Sequence, residues 1–279
     1  MTLSAPHQPG ESWIFTAPHG DRLYLVPERG GLVTGWRCYG PWGERELLYF
    51  DAERFADPTK SVRGGIPVLF PICGGLEGSA MPQHGFARDL SWQISALPDG
   101  DGVSLALTNT PATLVVFPHR FALALEFRLE PQALAITARV SHPGGEGEAP
   151  LPFAFGLHPY FKVADLQAVR LHGLPSQATD QAAGASANTA DLLASLPSGV
   201  DLLAGPTPAV RLEAGGLAIS LETHAPLDLA VVWTDPPRSM VCLEPWTAPR
   251  GALNSGERLL QVQPGESLEL ACRYRVEAL

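Results

Sequence analysis

Phe121-Ala122-Leu123-Ala124-Leu125-Glu126-Phe127-Arg128-Leu129-Glu130, then Pro131-Gln132, then Ala133-Leu134-Ala135-Ile136-Thr137-Ala138-Arg139-Val140 is the stretch whose reading decides the fold. Phe121, Leu123, Leu125, Phe127 and Leu129 interleave with small or charged residues, and Leu134, Ile136, Ala138 and Val140 do the same after the interruption. A period of two sends successive side chains to opposite faces, so each run reads as a strand with one buried face. Pro131-Gln132 joins the two as a hairpin. The same alternation recurs at Val103, Leu105 and Leu107, at Leu217, Ile219 and Leu221, at Leu227, Leu229, Val231 and Trp233, and at Leu268, Leu270, Cys272, Tyr274 and Val276. Turn signals such as Pro98-Asp99-Gly100 and Pro264-Gly265-Glu266 separate these runs.

With 28 Gly and 27 Pro spread along 279 residues, long helices are excluded, and no segment keeps an apolar stripe at i, i+3, i+4, i+7. The expectation is an all-β chain, a large antiparallel β-sandwich. Strands continue through both halves without a linker between two cores, which predicts one domain over 1–279. Two soft loops are expected, the Pro143–Glu148 run and the Ala/Ser-rich stretch 177–190.

Hydrophobic residues make up 45% and charged ones 17%, enough apolar material for a real core. The formal net charge of -10 gives phosphate backbones and anionic lipids no general attraction, so neither nucleic acid nor a membrane is expected as partner. No run approaches the roughly 18 consecutive apolar residues that span a bilayer. The start, MTLSAPHQPGESW, lacks a basic and then apolar leader, so a cytoplasmic location is expected. Cys38, Cys73, Cys242 and Cys272 form no C-x-x-C pair and read as reduced, mostly buried thiols.

Chemistry-bearing side chains concentrate in three segments rich in Gly, Pro and aromatics: Arg63–Pro71 with His84–Asp89, Leu157-His158-Pro159-Tyr160-Phe161, and Cys242-Leu243-Glu244-Pro245-Trp246-Thr247. His158 sits in a strongly apolar stretch, where burial lowers its pKa and a nearby carboxylate raises it. Glu244 is flanked by Val241, Cys242, Leu243, Pro245 and Trp246, which desolvate it. From the residues alone two readings stand for it: a catalytic carboxylate, or a buried ion pair with Arg63, Arg88, Arg238 or Arg250.

Together these segments resemble the aldose 1-epimerase (galactose mutarotase-like) family, including its hexose-6-phosphate mutarotase branch. The resemblance rests on R-G-G-I-P-V-L-F-P at 63–71, H-G-F-A-R at 84–88, G-L-H-P-Y-F at 156–161 and C-L-E-P-W-T at 242–247, with a further likeness at Phe117-Pro118-His119-Arg120-Phe121. It extends from about residue 20 to the C-terminus. It implies a β-sandwich with the sugar in a cleft on one sheet. It also implies Glu244 as the general base on the anomeric hydroxyl, His158 as the general acid at the ring oxygen, and His84, Arg63, Arg88 and Asp201 as substrate-binding residues. Asp191 and Asp235 stand as alternatives to Asp201. Trp246, Tyr160 and Phe161 are expected to offer apolar faces to sugar C–H bonds.

The expected reaction interconverts α and β anomers of an aldohexose or its 6-phosphate by ring opening and closure. It needs no metal and no organic cofactor, and the expected partner is the sugar or sugar phosphate, with the chain a monomer or weak homodimer. Five arginines, Arg37, Arg63, Arg88, Arg238 and Arg250, are available for a phosphate. Two rivals remain: a metal enzyme built on His84, His158 and Glu244, against which no H-E-x-x-H or short H-x-D/E pair is found, and a carbohydrate-binding module without catalysis.

Overall fold

A computed structural model describes residues 1–6 and 11–279. The quoted stretch folds as read. Strands Ala122–Glu130 and Ala133–Ser141 pair antiparallel, with Phe127 opposite Ile136 and Leu125 opposite Ala138. Pro131 and Gln132 form the two-residue loop: the proline ring fixes its own φ at about −65°, and Gln132 takes φ 53, the left-handed conformation a type II turn requires at its second central position. Every apolar residue of the alternation is buried, while Glu126, Arg128 and Arg139 lie on the other face.

This hairpin is the middle of an eight-stranded sheet ordered Arg170–His172, Ala209–Ala214, Leu217–Thr223, Ser267–Ala278, Ala133–Ser141, Ala122–Glu130, Val103–Thr108, Gln93–Ala96. A second eight-stranded sheet runs Ala185–Asn188, Gln177–Asp180, Asp201–Ala204, Leu229–Trp233, Met240–Trp246, Gly156–Leu157, Val68–Leu69, with Tyr160–Lys162 also pairing with Met240–Trp246. One apolar cluster contains Phe127, Ile136 and Tyr274 of the first sheet and Leu202, Val232, Val241 and Leu243 of the second, so the two sheets share a core. Burying each such side chain contributes about 1.5–3 kcal/mol. The Tyr274 hydroxyl crosses the core and donates to the Leu243 carbonyl oxygen at 2.9 Å, which satisfies a phenol that burial would otherwise leave unpaired. A five-stranded sheet of Thr2–Ser4, Trp13–Thr16, Arg22–Val26, Leu32–Gly40 and Gly43–Glu46 and a short pair, Leu151–Phe153 with Leu260–Val262, complete the β-sandwich.

Helices among the described residues are short, the longest six residues, and none is long and apolar enough to cross a membrane. The segment 177–190, expected as a loop, is instead the antiparallel pair Gln177–Asp180 and Ala185–Asn188 followed by a short helix. Its Ala and Ser side chains are small and mostly exposed, as suits an edge, and the Asn188 side chain accepts from the N–H groups of Ala190 and Asp191 to start the helix. The 143–148 run is irregular, as read. All four cysteines are free and buried.

Candidate active site

Strand Met240–Trp246 is buried at all seven positions, because both of its faces are covered. Period two assigns Val241 and Leu243 to the shared core and Cys242, Glu244 and Trp246 to the opposite face. Register then builds a site on that face. Val231 lies opposite Glu244, Leu229 opposite Trp246 and Trp233 opposite Cys242, while Asp201 lies opposite Trp233 and Tyr160 opposite Cys242. Directly opposed residues share a face, so four strands present side chains to one cleft, which loop residues complete. It is lined by Ser61, Arg63, Gln83, His84, Arg88, His158, Tyr160, Asp201, Val231, Trp233, Glu244, Trp246 and Arg250. It is open to solvent at its mouth.

Glu244 is 1% exposed at the cleft floor. The Trp246 indole Nε1–H donates to its Oε2 at 3.0 Å, and His158 Nε2 lies 3.4 Å from its Oε1. Burial pushes the carboxyl well above its usual range; the Trp246 bond opposes this, as Arg250 does, while Asp201 reinforces it. His158 is pushed well down, by burial first and then by His84, Arg88 and Arg63. Its ring stacks on Tyr160 at 4.7 Å and meets the edge of Trp233 at 5.6 Å. No arginine pairs with Glu244 among the described residues; its neighbours are a histidine and a tryptophan, so the buried Arg–Glu pair is replaced by a His–Glu pair.

Trp246 comes this close because Gly156 lies across from it. A Cβ at Gly156 would sit 2.7 Å from the indole Cδ1, nearer than real Cβ contacts come.

His84 takes φ 68, a left-handed conformation uncommon outside Gly but enriched for Asn, Asp and His. Gly85 follows at φ 74, and a Cβ there would lie 2.1 Å from the Phe70 carbonyl oxygen. This backbone is held by the His84 N–H donating to Gly74 O at 2.6 Å, while Gly74 N–H donates to His84 Nδ1 at 3.0 Å. Nδ1 therefore accepts, which leaves the proton on Nε2. Burial and the nearby Arg88, Arg250 and Arg63 lower the His84 pKa to about 3, so the ring is neutral. It lies edge-on to both His158 and Trp246, at 5.5 and 5.8 Å.

Asp201 lines the cleft from the first position of strand Asp201–Ala204. It accepts from Gln181 Nε2 and from Arg250, both at 2.7 Å. The two alternatives lie outside the lining: Asp191 is in the helix Thr189–Ala194, and Asp235 pairs with Arg238 at 2.5 Å and Arg63 at 3.9 Å. Of the five candidate arginines, Arg63, Arg88 and Arg250 line the cleft, whereas Arg37 pairs with Glu44 on the five-stranded sheet and Arg238 with Asp235. The Arg88 Nε is buried and without a partner.

Phe161 is a correction. One position after Tyr160, it faces the other way and packs on Tyr274 in the core at 5.2 Å. Phe117 and Phe121 likewise pack around Phe70, away from the cleft. Sequence reasoning missed Trp233 and Gln181 as site residues. Trp233 carried a signal, as the last member of an alternation whose partner strand holds Glu244; Gln181 carried none.

The family model described as aldose 1-epimerase matches residues 15–275. A curated relative from Cenchrus ciliaris, named "Putative glucose-6-phosphate 1-epimerase", is 36% identical over 161 residues, 54% of this chain and 46% of that protein. The match spans about half the length of such curated relatives. Among solved structures, the Slr1438 protein from Synechocystis sp. PCC 6803 is 34% identical with a TM-score of 0.89 and full coverage of both chains. A galactose mutarotase-like protein from Clostridium acetobutylicum shares the fold at a TM-score of 0.78 and 18% identity, over 100% of this chain and 98% of that one. The chain belongs to the aldose 1-epimerase family.

Proposed function

We propose that this protein is an aldose 1-epimerase whose substrate is a hexose 6-phosphate, with Glu244 as base and His158 as acid. The observation that carries the reading is the buried Glu244–His158 pair, 3.4 Å apart, on the floor of a cleft whose wall carries three arginines. Opening a pyranose takes one proton from O1 and gives one to O5, so the reaction moves a single proton's worth of charge through a base and an acid. Glu244 as carboxylate with His158 as imidazolium is the state that opens the ring. Glu244 as carboxylic acid with His158 neutral is the state after opening, and rotation about C1–C2 followed by the reverse transfers closes the other anomer. The pair carries one proton in both states. Burial favours the neutral couple, while the Trp246 hydrogen bond and the mutual attraction of the two charges favour the ionised one. A bound sugar whose O1 and O5 hydrogen-bond to the pair adds to the side that favours the ionised couple.

His84, neutral with its proton on Nε2, supplies a donor to a sugar oxygen, and Asp201, held by Gln181 and Arg250, supplies an acceptor for a sugar hydroxyl. Trp233 and Tyr160 present ring surface to C–H bonds. The unpartnered, half-buried Arg88 beside Arg63 supports a phosphorylated sugar, since a guanidinium kept from water without an acceptor costs stability that a bound phosphate recovers.

The test is polarimetry on pure α-glucose, α-galactose and their 6-phosphates. Acceleration of anomeric equilibration for the phosphorylated sugars, and its loss by a factor of about 10² or more in Glu244→Gln with the fold retained, is expected. Equilibration at the uncatalysed rate for every sugar would leave a binding module instead, and preference for the free sugars would remove the phosphate.

A further inference from the structure

The C-L-E segment brings a thiol to the same place as the acid–base pair. One ligand atom each of His158, Cys242 and Glu244 lies within 4.8 Å of the others, and all three residues are buried. A tetrahedral zinc ion with ligands about 2.0–2.3 Å away holds them about 3.3–3.8 Å apart. His158 Nε2 and Glu244 Oε1, at 3.4 Å, already have that spacing, and Cys242 Sγ needs an approach of about 1 Å. Nothing strong holds the thiol where it is, since its contact is the Met240 thioether at 3.9 Å. Charge balances as well: one thiolate, one carboxylate and a neutral imidazole around a dication sum to zero, the condition for keeping a charged group out of water.

We propose that His158, Glu244 and Cys242 form a site for a thiophilic divalent cation such as zinc, entered from the cleft, and that its occupancy blocks the enzyme. The blocking half of this proposal rests on the function proposed above; the binding half does not. The ion takes the lone pairs that would otherwise carry sugar protons. Binding releases two protons to solvent, one from the Cys242 thiol and one from the His158–Glu244 pair, so occupancy tightens as pH rises. One feature separates this from a resident catalytic metal. A ligating histidine normally donates through its other ring nitrogen to a separate supporting group, but no group outside His158 itself supports its buried Nδ1. The site is thus inhibitory and reversible.

The experiment titrates chelator-treated protein with zinc while binding is followed by calorimetry and rotation by polarimetry, with cobalt as an optical reporter. Expected are one equivalent bound, activity lost in step and restored by chelator, and a thiolate-to-cobalt absorption band. Cys242→Ser raises the half-inhibitory zinc concentration about tenfold or more and removes the band, whereas Cys272→Ser, in the other sheet, changes neither. Should Cys242→Ser fold poorly, Cys242→Ala and the wild-type cobalt spectrum carry the same test. Absence of the band, or zinc binding indifferent to Cys242, overturns the site. Binding without inhibition overturns the blocking, and activity lost on chelation makes the metal a cofactor. If no sugar is turned over, the epimerase reading falls while calorimetry and the cobalt band still decide the site.

Discussion

At the scale of single residues, Trp246 is a positioning residue for Glu244. Its indole N–H holds Oε2 and is the largest influence keeping the carboxyl from rising further. Trp246→Phe removes the donor and keeps most of the ring, so the Glu244 pKa rises and the acidic limb of the kcat/KM profile moves to higher pH. An unchanged limb, read by polarimetry across pH, would refute this role. His84 makes a second prediction, on stability. Its folded pKa, near 3, lies below the unfolded value of 6.5, so between those pH values the unfolded chain binds the extra proton. Stability from this residue is complete above pH 6.5 and is lost as pH falls toward 3. His84→Asn, suited to the same left-handed backbone, should flatten the acid side of the denaturation profile, measured by urea midpoints at several pH values.

At the scale of elements, the strand Met240–Trp246 depends on the small residue facing it. Gly156→Ala places a methyl group 2.7 Å from the Trp246 ring, so either the ring or the strand Gly156–Leu157 must move. Overpacking of this kind costs about 1–3 kcal/mol. Because the moved ring also carries the Glu244 hydrogen bond, kcat should fall more than KM changes. Thermal denaturation and steady-state kinetics on the same variant check both parts, and a variant with wild-type kcat would show that the ring can yield freely. Elements also mark where the sequence was legible. The hairpin at 121–140 was readable because its alternation is long and strict. The pair at 177–188 was not, since Ala and Ser side chains alternate nothing; sheet hydrogen bonding to the neighbouring strand Asp201–Ala204 recruits them.

At the scale of the whole molecule, a chain of formal net charge -10 gathers Arg63, Arg88 and Arg250 into one cleft. Arg88→Ala should raise KM for a hexose 6-phosphate about tenfold or more, the worth of a charge-assisted hydrogen bond of about 1.5–3 kcal/mol, and leave KM for the free hexose nearly unchanged. Equal effects on both sugars would assign Arg88 to the ring rather than the phosphate. Local sequence decided a good deal of this protein. The period-two runs set its all-β class, and the apolar flanks of Glu244 and His158 marked both as buried ionisable groups, because alternation and desolvation are read from near neighbours. Tertiary structure alone decided which aspartate of three reaches the cleft, which arginines of five line it, that Phe161 turns into the core, and that Cys242 lies against the acid–base pair. Those outcomes depend on cross-strand register and on which face each strand presents, and residues as far apart as 63, 158, 201 and 244 acquire a common neighbourhood only when the sheets close.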